Sequence, residues 1–221
     1  MPSDQAARAQ VEWEFDMFVQ VIQGRVSDAA QVKAHIDKWN AEVAPGAVGW
    51  LGSTGGVTDD GQLIALVRFE SEEAAQQNSD RPEQSAWWRD TEACFDGPVT
   101  FHDSEEVEVM QHGDLDGARF VQVMEGHVAD RDRAVALERE SEPMLAEMRP
   151  DLLGSVTAYY DKDAFTEVAY FTSQDAARKG ETQPMTDEVQ AMFREWQDVM
   201  HVDRYLDIEQ PWLMAKGQGA Q

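Results

Sequence analysis

Apolar positions along this chain alternate, then recur at helical spacing, and the whole order occurs twice. Residues 18–28 read FVQVIQGRVSD and residues 120–130 read FVQVMEGHVAD, an offset of 102 with seven of eleven positions identical. Phe69, Ser71, Ala74, Ala75 and Pro82 match Phe171, Ser173, Ala176, Ala177 and Pro184 at the same offset. Pro45 and Gly49 match Pro150 and Gly154 at an offset of 105, which places a three-residue gain before Pro150 and an equal loss before Phe171. Self-similarity at a fixed period marks a structural unit that has been duplicated.

Within the first copy, the Val- and Ile-rich run Phe18–Val26 predicts a strand. Asp28 with Gln31 resembles a capping box, and Val32, Ile36, Trp39 and Val43 follow at helical spacing until Pro45-Gly46 stops the helix. Strands over Val48–Thr54 and Gln62–Glu70 flank a turn in which Asp60-Gly61 is a favoured hairpin dipeptide. A second helical stretch spans about Ser71–Phe95 with an interruption at Pro82, and a strand near Glu106–Met110 closes the copy. In the second copy the same order runs through Arg119–Val128, a helix to Met148 kinked at Pro143, strands near Ser155–Tyr160 and Phe165–Thr172, a helix, and a strand near Arg204–Glu209. Its last helix carries the clearest apolar stripe: Met185, Val189, Met192, Trp196 and Met200.

The order β-α-β-β-α-β is the split βαβ plan of a ferredoxin-like module. A four-stranded sheet with both helices on one face leaves the other face bare, and that face must be covered. Two linked copies can press their open faces together. The expected fold is therefore α+β: modules over residues 15–110 and 119–212, a linker over 111–118, and sheet-to-sheet packing into an intramolecular α+β barrel. Since the fusion supplies its own partner, a monomer is expected.

Asp and Glu number 43 against 18 Lys and Arg, a formal charge of −25. Such a polyanion is repelled by nucleic acid and by anionic membrane surfaces. The single Cys94 rules out an internal disulfide. MPSDQAARAQVEWEF lacks the basic start and apolar run of a signal peptide, and no stretch approaches the ~18 apolar residues of a membrane helix. A cytoplasmic protein is expected.

Two segments resemble a known group. Pro45-Gly46-Ala47-Val48-Gly49 resembles the Pro-Gly turn into the second strand of the antibiotic-biosynthesis-monooxygenase-like proteins, within the dimeric α+β-barrel superfamily. Arg68-Phe69-Glu70-Ser71-Glu72-Glu73-Ala74-Ala75, kept as Tyr170-Phe171-Thr172-Ser173-Gln174-Asp175-Ala176-Ala177, resembles its aromatic-x-Ser-x-Glu-Ala junction. The superfamily holds cofactor-free oxygenases of aromatic polyketides, haem-degrading and haem-bound enzymes, isomerases and proteins without assigned activity. Members often carry a histidine a few residues into the second helix, where this chain has Gln76-Gln77-Asn78 and Arg178-Lys179-Gly180. The resemblance implies a monooxygenase-like enzyme acting without a cofactor on an aromatic or apolar substrate. The alternative is a non-catalytic small-molecule-binding or stress-related barrel protein.

The residues themselves offer a few candidates. The five histidines lack the i, i+3 or i, i+4 spacing of a helical metal pair, so no metal is expected, and haem would depend on an isolated histidine such as His201. Gln20 and Gln122 occupy equivalent mid-strand places and need partners if buried. In the second copy the last helix reads as ordinary core, whereas the corresponding first-copy positions Glu83, Trp87, Asp90 and Cys94 break the stripe with acids. This asymmetry predicts a ligand site under the first copy's second helix, lined by Gln20, Arg68, Trp87, Trp88 and His102.

Overall fold

A computed structural model describes residues 17–216. The order is β1 (Phe18–Arg25), α1 (Ala29–Lys38), β2 (Trp50–Val57), β3 (Gln62–Phe69), α2 (Glu72–Ser79), α3 (Pro82–Glu92), β4 (Thr100–Ser104) and β5 (Glu106–Gln111). It continues with β6 (Phe120–Val128), α4 (Arg131–Met148), β7 (Leu152–Tyr160), β8 (Ala164–Phe171), α5 (Gln174–Glu181), α6 (Asp187–Val199), β9 (Met200–Ile208) and β10 (Trp212–Ala215). Two antiparallel five-stranded sheets result, ordered β10-β2-β3-β1-β4 and β5-β7-β8-β6-β9.

The repeated signals have local physical causes. Asp28 and Asp130 cap α1 and α4 by accepting from the backbone N–H of Gln31 and Arg133, each at 3.0 Å. Ser71 and Ser173 do the same for α2 and α5, accepting from Ala74 and Ala176 at 3.2 Å. The aromatic-x-Ser junction is thus a strand end followed by an N-cap, and Ala75 and Ala177 beyond it are buried. Pro82 opens α3 at a position where its missing N–H costs nothing. α4 continues through Pro143 as one element. In the first copy the equivalent stretch breaks after Lys38 into a wide turn, Trp39–Val43, and a tight one, Ala44–Gly46.

The offset of 102 holds without interruption from β1 to α5, which corrects the expected three-residue gain and loss. Trp50 and Leu152 face Phe69 and Phe171, and after a bulge Gly52 and Gly154 face Arg68 and Tyr170. Gly154 is therefore the counterpart of Gly52, not of Gly49. Both glycines are demanded by a close approach: an added Cβ would lie 2.7 Å from the Met214 carbonyl at Gly52 and 2.2 Å from the Met110 carbonyl at Gly154.

Those two carbonyls belong to strands that have crossed between sheets. The first module is closed by β4, paired with β1, rather than by Glu106–Met110. After the single residue Glu105 the chain enters the other sheet, where β5 pairs with β7. Ser104 marks the crossing, donating to the Tyr159 carbonyl at 2.6 Å and accepting from the Glu106 N–H at 3.1 Å. Symmetrically, β10 leaves the second module to pair with β2. Each module lends an edge strand to the other's sheet.

Between the sheets lies the main core, with Val19, Val21, Ile64 and Leu66 from one side meeting Val121, Val123, Val156 and Val168 from the other. Leu115 and Ala118, in the expected linker, plug into the same core. A buried pair of hydroxyls also joins the two copies: Thr54 Oγ1 and Tyr170 Oη are 2.7 Å apart. Among the described residues no helix is long and apolar enough to cross a membrane.

The sheet-to-sheet pair yields a test. Tyr170→Phe leaves a buried Thr54 hydroxyl unpaired and should cost about 1–2 kcal/mol in urea unfolding, as should Thr54→Val. The double variant should recover about 1 kcal/mol of the summed loss, because both partners are then apolar. Strict additivity would contradict the pairing.

Candidate functional site

Each module keeps a space between its sheet and its helices, about 360 Å³ in the first copy and about 630 Å³ in the second. Strand alternation decides what faces these spaces. In β8, Val168 and Tyr170 enter the inter-sheet core, so Glu167, Ala169 and Phe171 face the helices. Gln122 and Met124 of β6 complete the floor of the larger cavity. Leu137, Ser141 and Leu145 of α4 form one wall; Met192, Phe193 and Trp196 of α6 form the other. Phe193 and Tyr205 are 44% and 58% exposed, which places them at the mouth.

A carboxylate pair sets the chemistry of this cavity. Glu167 lines it and hydrogen-bonds Ser155. Glu138 of α4 lies close by, accepting from the Tyr159 hydroxyl at 2.9 Å and bonded also to Thr157. Loss of solvent pushes Glu167 up to about 7. The same desolvation, reinforced by the neighbouring Glu167 charge, pushes Glu138 up to about 8, against the pull of its hydrogen bonds. Burial and the Glu138 carboxylate raise the Tyr159 phenol as well, so it stays a donor. A carboxyl that lines the cavity, beside a second one that shares its proton affinity, can take a proton from a bound molecule and return it.

At the opposite end stand two arginines. Arg149 makes a two-point pair with Asp151, at 3.0 and 2.7 Å, and lies over the Phe171 ring. Arg178 pairs with Glu181 at 2.8 Å and with Asp207, and lies over Phe120. Asp207 also accepts from Gln122 at 3.0 Å. The equivalent Gln20 donates to Asp103 at 2.8 Å, so each mid-strand glutamine has its own cross-strand acid.

The expected first-copy site is divided by the sheet. Gln20, Trp87 and Trp88 line the smaller cavity. Arg68 and His102 point the other way, because they pair across the ladder with Val19 and Val21, both in the inter-sheet core. His102 stacks on Tyr160 of the other sheet, with centroids 4.5 Å apart and planes at 19°. Arg68 lies near the Tyr170 hydroxyl, with its Nε buried and unpartnered. His201 faces His127 at 5.1 Å, and among the described residues no cluster of metal-ligating type forms.

Both copies keep a cavity, and the larger lies in the second. The stripe is packed only at its end: Met200 is buried and Trp196 and Val199 pack against the same cluster, while no residue of α6 itself is fully buried and Met192, Phe193 and Trp196 line the cavity. The first copy instead fills its space with rings, as Trp39 meets Trp50 at 5.0 Å and Trp87 at 6.1 Å, and Trp88 meets Phe101 at 5.3 Å. At the offset of 102, Trp39 becomes Ser141, Ile36 becomes Glu138 and Ala65 becomes Glu167. One exchange opens the second cavity and two acidify it. The signal was present in the sequence: Glu167 alternates with Phe165, Ala169 and Phe171, a charge in a row of inward apolar positions.

Stability should report the buried pair. Both carboxyls hold protons more tightly folded than unfolded, relative to the ordinary value of 4.5. Their contribution is fully present below about pH 4.5 and is lost as pH rises through about 7 to 8. Glu167→Gln should therefore melt with the parent at about pH 5 and several degrees above it at about pH 9. A difference that does not change with pH would refute the assignment.

No family model matches the sequence, and no curated protein matches it. Solved structures do match its fold. A provisionally named monooxygenase from Fusobacterium nucleatum subsp. nucleatum superposes with a TM-score of 0.69 at 8% identity, covering 91% of this chain and 95% of that one. Another, from Lactobacillus acidophilus, gives 0.65 at 12% identity over 90% and 93%. A structure described as an anthrone oxidase-like protein gives 0.67 at 10% identity over 92% and 93%. All three matches span both copies, so this chain shares their fold along nearly its whole length, as two ferredoxin-like halves in tandem.

Proposed function

We propose that the protein is a cofactor-independent oxygenase of an aromatic compound, with the second-copy cavity as its reaction chamber and Glu167 as its base. The observation that carries this reading is Glu167, with Glu138 beside it, on the wall of a cavity of about 630 Å³, a volume suited to a substrate of several rings. The names of the three matching structures support the class of reaction. In this scheme Glu167 removes a proton from a ring-activated CH₂ group, and the carbanion gives its electrons to molecular oxygen. The carboxyl returns that proton to the peroxide anion, giving a hydroperoxide. Glu167 then takes the second C–H proton as the O–O bond breaks and hands it to the leaving hydroxide, so that CH₂ and O₂ become C=O and H₂O. Met192, Trp196 and Phe171 keep bulk water from the carbanion, while the substrate's own electron-rich ring supplies the reducing power.

A second reading, binding without turnover, is supported by the first cavity. Its polar groups are satisfied within the protein: Trp39 Nε1 donates to Gln84 at 2.6 Å, Trp87 Nε1 to the His35 carbonyl at 2.7 Å, and Trp50 Nε1 to Ser53 at 3.0 Å. Gln20, Trp87 and Trp88 would there hold an apolar ring without acting on it.

Oxygen uptake with anthrone separates the readings. One O₂ should be consumed per substrate, and Glu167→Gln should lower kcat by roughly 10²–10⁴-fold. Ring compounds that bind without oxygen uptake would leave the binding reading in place of the oxygenase one.

A further inference from the structure

The charges around the larger cavity are unevenly satisfied. Both guanidinium groups at its far end are engaged by acids, Arg149 by Asp151 and Arg178 by Glu181 and Asp207. Each guanidinium is thus already neutralised by at least one carboxylate. Glu167, by contrast, lines the cavity with a hydroxyl, Ser155, as its hydrogen-bond partner, and interacts with the like-signed Glu138. A ligand anion here would be desolvated beside an uncompensated carboxylate, the costly arrangement in a medium of low polarity. A ligand hydroxyl would instead donate to that carboxylate, a charge-assisted bond that strengthens where water is excluded. The formal charge of −25 adds a long-range field of the same sign.

Resting on the reading of the second cavity as the working site, we infer that it admits an uncharged ring compound presenting a hydrogen-bond donor to Glu167 and excludes the same ring bearing a carboxylate. Glu167 is then the residue that sets specificity by charge as well as the base. In the first copy the counterpart is Ala65, so discrimination of this kind belongs to the second cavity alone.

Calorimetric titration of the full chain with 1-naphthol and with 1-naphthoate at about pH 8 tests this without any oxygen chemistry. The parent should bind the naphthol at least roughly tenfold more tightly, and Glu167→Gln, checked for folding by circular dichroism, should shrink that preference by about tenfold. Naphthoate binding as tightly as naphthol overturns the inference, as does an unchanged preference in the variant or binding of neither compound up to its solubility limit. Naphthol selectivity without oxygen uptake from anthrone would refute the oxygenase reading alone. Oxygen uptake with a carboxylate preference would refute this inference alone.

Discussion

The helix-free face of each sheet is apolar, and the molecule buries both by pressing them together: Val19, Val21, Ile64 and Leu66 against Val121, Val123, Val156 and Val168. This contact fixes the parity of every strand, since a one-residue slip would turn a whole apolar row outward. Everything of chemical interest is then assigned by remainder. Residues that alternate with the inter-sheet core look toward the helices, and so Gln122 and Glu167 reach a cavity while Tyr170 does not. The exchanged edge strands β5 and β10 extend the constraint, for each copy's sheet is completed by chain from the other. Neither module has a complete sheet of its own.

On this shared frame the copies differ by few exchanges with large effects. Trp39 fills the first copy's space and anchors a row of rings through Trp50, Trp87 and Trp88. Ser141 leaves the equivalent space open, and α6 crosses above it tied to α4 by Arg133 and Glu195 at 2.6 Å. The two glutamates at the positions of Ile36 and Ala65 then place carboxyls at and beside the second cavity. Duplication lets one half carry packing while the other tolerates buried charge, an arrangement costly to stability where the pair must ionise.

Much of the fold was legible in the sequence, because its signals are local. The capping acids Asp28 and Asp130, the serines Ser71 and Ser173, and the repeated Val-rich strands each fix an element by short-range physics. The site was less legible. Placing Arg68 and His102 with Gln20 ignored the alternation that sends them to opposite faces, and period 2 alone would have separated Arg68 from Gln20's neighbour Val67. The stripe on α6 read as core because an amphipathic helix looks the same whether its apolar face meets a sheet or the wall of a cavity. The strand exchange had no local signal at all. Only the glycines at Gly52 and Gly154 mark where a crossing strand comes close.

On the proposed reading, ligand enters the second copy's cavity and meets the Glu167 carboxyl. A crystal structure of the full chain soaked with 1-naphthol tests that most directly. The ring should lie between α4 and α6, its oxygen within about 3.2 Å of a Glu167 carboxyl oxygen. A ring found only among Trp39, Trp87 and Trp88, or one whose hydroxyl points to Arg149 instead, would contradict it.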